Sequence, residues 1–361
     1  MAYYHTKYNI GKRRKKSKFH RFVIYTLTLL IIAVLIIGYL LYKIIYHQNV
    51  WICENESVAI CIPTNSTFEN VKKILYEKGI IIHRNNFEWL AIKKKYPDNI
   101  KQGKYLIKNR MSNNELINLL RSGKQEPVNL IFNNIRTKEQ LAKNISRQIE
   151  SDSASIIKLL NDSTYISQFG LYPEIVTTIF IPNTYKIFWD VTAEQFIERM
   201  HLEYNKFWNH QRQKKADELE MTIPEVITLA SIIEKETQKN DEKPIIAGVY
   251  INRLKRGWRL QADPTLIYAL GDYNIRRVLN NHKEIDSPYN TYKYRGLPPG
   301  PICIPSISSI DAVLNYDKNN YLYFCARDDL SGYHAFARTN TQHSLNARKY
   351  REALNKLKIW K

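Results

Sequence analysis

The stretch Pro224-Glu-Val-Ile-Thr-Leu-Ala-Ser-Ile-Ile-Glu-Lys-Glu-Thr237 decides how this chain is read. A proline at its start and apolar residues at helical spacing predict an amphipathic helix. Glu236 follows Ile233, Ile232 and Leu229 by three, four and seven positions, which puts a carboxylate on the apolar face. A carboxyl half sunk in hydrocarbon has a raised pKa and keeps its proton near neutral pH. A general acid needs that property, so Glu236 is the first candidate for chemistry. Glu234, over Ala230, Ser231 and Ile227, is the second.

Upstream, the chain is dominated by charge and then by its absence. Of a net charge of +20, eight basic residues precede Phe22 with no acid among them, which leaves +12 for the rest. The run Phe22 to Tyr42 carries no charge, and as a helix its 21 residues reach roughly 31 Å, enough to cross a bilayer core. The positive-inside rule places residues 1–21 as a basic arm in the cytoplasm and the remaining chain outside the inner (cytoplasmic) membrane. A cleaved signal peptide is the alternative; the run exceeds an ordinary signal core and no small-x-small cleavage site follows it. Tyr39, Tyr42, Tyr46 and Lys43 read as interfacial anchors. A basic arm beside a membrane helix suits anionic headgroups, so nucleic acid is not needed to explain the charge. The remaining positive charge suits an anionic polymer and equally suits plain solubility. Cys53, Cys61, Cys303 and Cys325 match no zinc spacing. Cys303 and Cys325 sit in apolar contexts and read as buried thiols, while Cys53 and Cys61 leave a small disulfide loop open.

Residues 50–125 read as strand, helix, helix, strand, helix. Ser57 to Ile62 is β-rich; Ser66 or Thr67 caps a helix ending at Gly79; Asn85 or Asn86 opens a second; Gly103 to Ile107 is a strand; Ser112 caps a third helix that stops at Gly123. Such a unit resembles the LysM-like fold, whose members bind N-acetylated glycans; a spacer is the other reading. Residues 126–361 form the remaining region. A strand near Val128 to Phe132 precedes helices at Lys138 to Ile149, Ser153 to Leu160 and Thr192 to His210, then the Pro224 helix and one from Pro244 to Arg256. An irregular stretch from Gly257 to Pro305, a strand Tyr321 to Cys325 and a closing helix, Asn346 to Leu357, complete it. The fold class is α+β: one N-terminal transmembrane helix, residues 22–42, a LysM-like module and a mixed α+β catalytic domain.

Two loops complete the chemistry-bearing set. Leu260-Gln-Ala-Asp-Pro-Thr265 is a polar turn, and Ser287 to Pro301 combines tyrosines with amides and hydroxyls, braced by prolines. Aromatic faces stack on the C–H side of a pyranose, and short polar side chains fork onto hydroxyls and acetamides. Together, Ala230-Ser-Ile-Ile-Glu-Lys-Glu-Thr237, Val249-Tyr-Ile-Asn-Arg-Leu254, Leu260 to Thr265, Tyr289-Asn-Thr-Tyr292, Gly296-Leu-Pro-Pro-Gly300 and Tyr321-Leu-Tyr-Phe324 resemble the endolytic murein transglycosylases, the YceG-like family, over nearly the whole chain.

The resemblance implies a lyase that cuts the β-1,4 bond between N-acetylmuramic acid and N-acetylglucosamine within nascent peptidoglycan strands. It would leave 1,6-anhydro-N-acetylmuramic acid ends and limit strand growth, near peptidoglycan synthases as partners. The acid/base falls in the EKET segment, on Glu236 or Glu234. Gln261, Asp263, Thr265, Tyr289, Asn290 and Tyr292 are the candidates for holding the sugars; Asp263 has the alternative role of capping a helix at Pro264. The family's usual acid within Pro182-Asn-Thr-Tyr185 is Asn183 here, and no catalysis is assigned to it. His334 and His343 read as structural. Neither metal nor cofactor is expected: no HExxH motif or close His/Cys cluster occurs. Two rivals stand beside this reading. A non-catalytic, membrane-tethered glycan-binding scaffold of wall synthesis leaves strands intact, and a muramidase leaves reducing ends.

Overall fold

The computed structural model describes residues 18–53, 56–275 and 277–356. Most of the basic arm, and Leu357 of the closing helix, lie outside the described residues. The chain divides into two compact units between Glu126 and Pro127.

The first unit opens with α1 (Lys18–Tyr46), 29 residues with no buried side chain, in which the most apolar 18-residue stretch has a mean hydropathy of 2.6, long and apolar enough to cross a membrane. Then follow β1 (Ser57–Ile62), α2 (Phe68–Glu77), α3 (Arg84–Lys93), β2 (Gly103–Lys108) and α4 (Asn113–Ser122). β1 and β2 pair antiparallel, with Ser57 opposite Lys108 and Ile62 opposite Gly103. Alternation sends Ile60, Ile62, Tyr105 and Ile107 inward, where they meet Val71 and Leu75 of α2, Phe87 of α3 and Leu116 of α4. Thr67 and Ser112 each form a capping box, with Asn70 and Glu115. α3 departs from expectation. It starts at Arg84 behind His83, which gives no side-chain cap, rather than at Asn85 or Asn86.

The second unit holds β3 (Val128–Ile131), α5 (Lys138–Ile145), α6 (Ser153–Asn161), α7 (Ser163–Ser167), β4 (Thr184–Ile187), α8 (Ala193–Phe207), α9 (His210–Glu218), α10 (Ile223–Glu236), α11 (Lys243–Lys255), α12 (Asp263–Leu270), α13 (Ile307–Leu314), β5 (Tyr323–Ala326), β6 (His334–Ala337) and α14 (Asn340–Lys356). β3 pairs with β4 and β5 with β6, both antiparallel. Three small sheets among many helices make the fold α+β. One core gathers α5, α6, α8 and the β3–β4 ribbon around Phe132, Phe180 and Phe196. The other gathers α10, α11 and α13 around Leu229, Ile232, Ile246 and Ile310. The single helix expected from Thr192 to His210 ends instead at Trp208, whose side chain is buried, and α9 starts afresh behind Asn209, which caps it. α12 and α13 interrupt and follow the stretch read as irregular, and α14 starts six residues before Asn346.

Gly248 positions the second core. It lies inside α11, and a Cβ there would sit 2.3 Å from the backbone oxygen of Asp317. The loop carrying Asn319 therefore lies directly on the helix, with Asn252 Nδ2 donating to the carbonyls of Asn319 at 2.9 Å and Tyr321 at 3.0 Å. In an open helix glycine-to-alanine stabilises by about 1 kcal/mol. Here we expect Gly248→Ala to destabilise by about 1–3 kcal/mol, measured by urea denaturation.

Candidate active site

α10 is fixed at both ends. Thr222 N donates to Glu225 Oε2 at 2.7 Å, and Glu225 N to Thr222 Oγ1 at 3.4 Å, a capping box with Pro224 in the first turn. Every residue from Val226 to Ile233 is buried. The segment after Gly300 runs alongside: Ile302 N donates to Ser231 Oγ at 3.0 Å, and the buried thiol of Cys303 reaches Ser231 O at 3.5 Å. The helix ends where Thr237 turns extended, which leaves Glu236 as its last helical residue.

The two glutamates meet opposite surroundings. Glu234 Oε2 accepts from Ser306 Oγ and Ser309 Oγ, both at 2.5 Å, and from Lys243 Nζ at 3.1 Å. Burial alone raises its pKa, but those hydroxyls and the ammonium more than offset it, and the carboxyl is held below the usual range. Glu236 Oε1 accepts one hydrogen bond, from Tyr250 Oη at 2.5 Å. Loss of water pushes this carboxyl up to about 7; the Tyr250 phenol pulls down, the negative charge of Asp263 adds to the rise, and Arg253 opposes it. Glu236 is thus about half protonated at neutral pH, whereas Glu234 is held in its ionised form.

Tyr250 and Arg253 come from α11. The Tyr250 ring is buried edge-on against Phe324 at 5.8 Å, so its hydroxyl can reach little but Glu236. Burial and then the Glu236 charge drive the Tyr250 pKa well up, which keeps it a donor. Arg253 is buried with Nε donating to Leu322 O at 2.7 Å and Nη1 to Leu260 O at 2.5 Å, so its charge acts on the site from a fixed place. Nothing in the sequence reading assigned these two a role. Their mark is a phenol and a guanidinium one helical turn apart among otherwise buried positions of α11.

The polar turn supplies Asp263. It is the first residue of α12, behind Ala262, and makes no cap; the capping role considered for it is not what the fold uses. Its exposed Oδ1 accepts instead from Tyr292 Oη at 2.5 Å. Gln261 beside it is exposed and held at φ +52°, a left-handed conformation that costs a non-glycine residue energy. The strain is maintained by Thr291, whose carbonyl accepts from Gln261 N at 3.1 Å and whose hydroxyl accepts from Ala262 N at 3.0 Å.

Two of the six sugar-holding candidates are corrected by their burial. Thr265 has no exposed surface; its hydroxyl donates to Ala262 O and pairs with Thr291 Oγ1, both at 2.8 Å. Asn290 is also fully buried, its Nδ2 donating to Lys283 O at 2.9 Å and Ile285 O at 2.8 Å while Oδ1 accepts from Tyr292 N at 3.0 Å. Both shape the loops and have nothing left for a ligand. Tyr289 is half-buried, its ring 4.7 Å from that of Tyr268. Gln261, Asp263 and Tyr292 keep exposed surface, and electrostatic coupling ties Asp263 and Tyr292 to Glu236. His334 Nδ1 lies 2.9 Å from the buried carboxylate of Glu242, and the His343 ring stacks on that of Tyr323. Among the described residues no three His, Cys, Asp or Glu side chains gather as metal ligands.

Residues 60–349 match the YceG-like family, and the chain belongs to it. It is 31% identical over 318 residues to the endolytic murein transglycosylase of Bacillus subtilis, covering 83% of this chain and 86% of that one. It is 29% identical over 346 residues to the endolytic murein transglycosylase of Streptococcus pneumoniae, covering 86% of this chain but only 61% of that longer protein. A crystal structure of a YceG-like protein from Listeria monocytogenes, 30% identical, superposes with a TM-score of 0.55 over 80% of this chain and 98% of the other.

The two carboxyls have opposite linkage to folding. A folded-state pKa above the unfolded value stabilises fully at low pH and is lost as pH rises, so the cost of Glu236 builds from the ordinary glutamate range to about 7 and is constant beyond it. A lowered folded pKa stabilises at high pH and is lost on acidification, as for Glu234. At pH 8 we therefore expect Glu236→Gln to raise Tm and Glu234→Gln to lower it. Removing the Tyr250 hydroxyl with Tyr250→Phe moves the Glu236 titration further up, followed by carbon NMR of labelled glutamate carboxyls.

Proposed function

We propose that this chain is a membrane-anchored endolytic lytic transglycosylase of peptidoglycan. The observation that carries the proposal is the Glu236 carboxyl, poorly hydrated, hydrogen-bonded only by a phenol and titrating near neutrality, in a member of the YceG-like family whose relatives are named endolytic murein transglycosylases. Protonated Glu236 donates to the bridging oxygen of the β-1,4 bond between N-acetylmuramic acid and N-acetylglucosamine. The C1–O bond breaks with the electron pair leaving on the protonated oxygen, and positive charge develops at C1. The Glu236 carboxylate then takes the proton of the C6 hydroxyl, whose oxygen closes onto C1 to give the 1,6-anhydro ring. No water enters, so one titrating group serves both steps. Asp263, hydrogen-bonded by Tyr292, faces the developing charge, and Gln261 and Tyr292 contact the sugars.

We assign residues 126–361 to the catalytic domain and residues 50–125 to a LysM-like glycan-binding module. Residues 22–42 then anchor the chain, with residues 1–21 in the cytoplasm and the catalytic domain outside the membrane. The nascent glycan strand is the substrate, and peptidoglycan synthases that extend it are the expected neighbours.

The test uses isolated glycan strands and mass spectrometry of the products. Anhydro ends are one water lighter than the reducing ends a muramidase leaves, and a scaffold leaves strand length unchanged. We expect anhydro ends from the parent chain and a rate about 10²–10⁴-fold lower for Glu236→Gln. Glu234→Gln retains activity in proportion to its folded fraction. Parent-rate release of anhydro products by Glu236→Gln removes the assignment.

A further inference from the structure

The end of α1 is built into the first unit. Asn113 Nδ2 donates to Ile44 O at 2.9 Å, and Asn49 Nδ2 donates to Asn113 Oδ1 at 2.6 Å, with both amides buried. Asn49 N donates to Met111 O at 2.9 Å and Ile82 N to Asn49 O at 3.0 Å. These bonds lock the last turn of α1 against α3 and α4. The corner between them is not filled: it encloses a cavity of about 440 Å³. Its apolar side is Leu40, Ile44 and Ile82, its polar side carries Lys43, His47 and His83, and among the described residues no acid lines it. Leu40 and Ile82 are both about half exposed, apolar surface that the protein itself leaves uncovered. Asn86, in the first turn of α3, also lines the cavity and adds a side-chain amide to its donors.

The depth of this cavity is set by the helix that forms it. Leu40 lies within the uncharged run and His47 beyond it. At 1.5 Å per residue, Leu40 to His47 spans roughly 10 Å, somewhat more than the roughly 5–8 Å of one headgroup layer, so the cavity reaches from headgroups into hydrocarbon. One side is hydrocarbon, the other is cationic and rich in donors, and the junction falls where a helix leaves a bilayer.

We infer that this corner is a binding site for one anionic phospholipid, its phosphate among Lys43, His47 and His83 and its acyl chains along Leu40 and Ile44. The inference rests on α1 spanning the membrane as proposed above. The apolar wall favours a lipid over free phosphate, which has no use for it, and the missing acid favours an anionic over a zwitterionic headgroup.

The experiment uses the full chain in nanodiscs of equal phosphatidylglycerol and phosphatidylcholine, transferred to neutral detergent, with retained lipid counted by native mass spectrometry. One phosphatidylglycerol should stay bound to the parent. Lys43→Gln should weaken its retention about fivefold. Asn86→Trp fills the cavity without changing charge and should also release the lipid, which general attraction to an anionic surface does not predict. Lys73→Gln, outside the lining, serves as the charge control and should leave retention unchanged. Equal retention by the parent and Asn86→Trp overturns the site, as does displacement of the lipid by millimolar inorganic phosphate at the parent's full occupancy. Alkaline carbonate extraction separates the two levels: a chain released by carbonate overturns the membrane reading itself, whereas a chain that stays embedded but shows no selective retention overturns only the lipid site.

Discussion

The withdrawal of one carboxyl from water at the end of α10 is the constraint on which the proposed chemistry of the second unit depends. Glu234 and Glu236 are two positions apart, about 200° around a helix. One side of that helix meets two serine hydroxyls and a lysine, and the other offers its carboxyl one phenol. Identical side chains acquire opposite protonation because donors surround one and are withheld from the other. A carboxyl treated in this way costs the fold stability when it ionises. The helix beneath it must therefore be stable for other reasons, and the eight consecutive buried residues and capping box of α10 supply them.

The loops around Glu236 are organised by a residue that meets no ligand. Thr291 holds the 261–262 backbone with its carbonyl and hydroxyl, and Thr265 closes the same network from α12. This buckle keeps Gln261 in a left-handed conformation and sets Asp263 at the helix start, where Tyr292 reaches it. Strain at Gln261 is consistent with a turn shaped for what it presents rather than for its own stability. The buried Thr265 and Asn290 tie down the backbone on which Gln261, Asp263 and Tyr292 are presented.

The apolar spacing of Leu229, Ile232 and Ile233 made α10 and the placement of Glu236 legible, because both are local properties of one helix. The order of strands and helices in the first unit was legible for the same reason, through its caps and glycines. What sets the two glutamates apart was not local: Ser306 and Ser309 lie 72 and 75 positions from Glu234 in sequence. Nor does a sequence reveal which polar side chains turn inward, and so Thr265 and Asn290 resembled ligand contacts. The break between α8 and α9 has no glycine or proline to announce it, since burial of Trp208 is a tertiary event. α13 was hidden because Ser306 precedes it without acting as a side-chain cap, its hydroxyl being committed to Glu234.

The Tyr250 contact bears on how one group serves as acid and then as base in the proposed reaction. Its hydrogen bond occupies Oε1, so the transferable proton resides on Oε2. The bond favours the carboxylate and makes Glu236 a better donor in the first step, while burial favours the neutral form and makes it a better acceptor in the second. Burial without the phenol would produce a carboxyl too reluctant to release its proton; the phenol with full hydration would produce one too reluctant to take it back. A value about 7 lies where the two demands are nearly equal, which is the compromise a single group must strike when it first gives a proton and then recovers one.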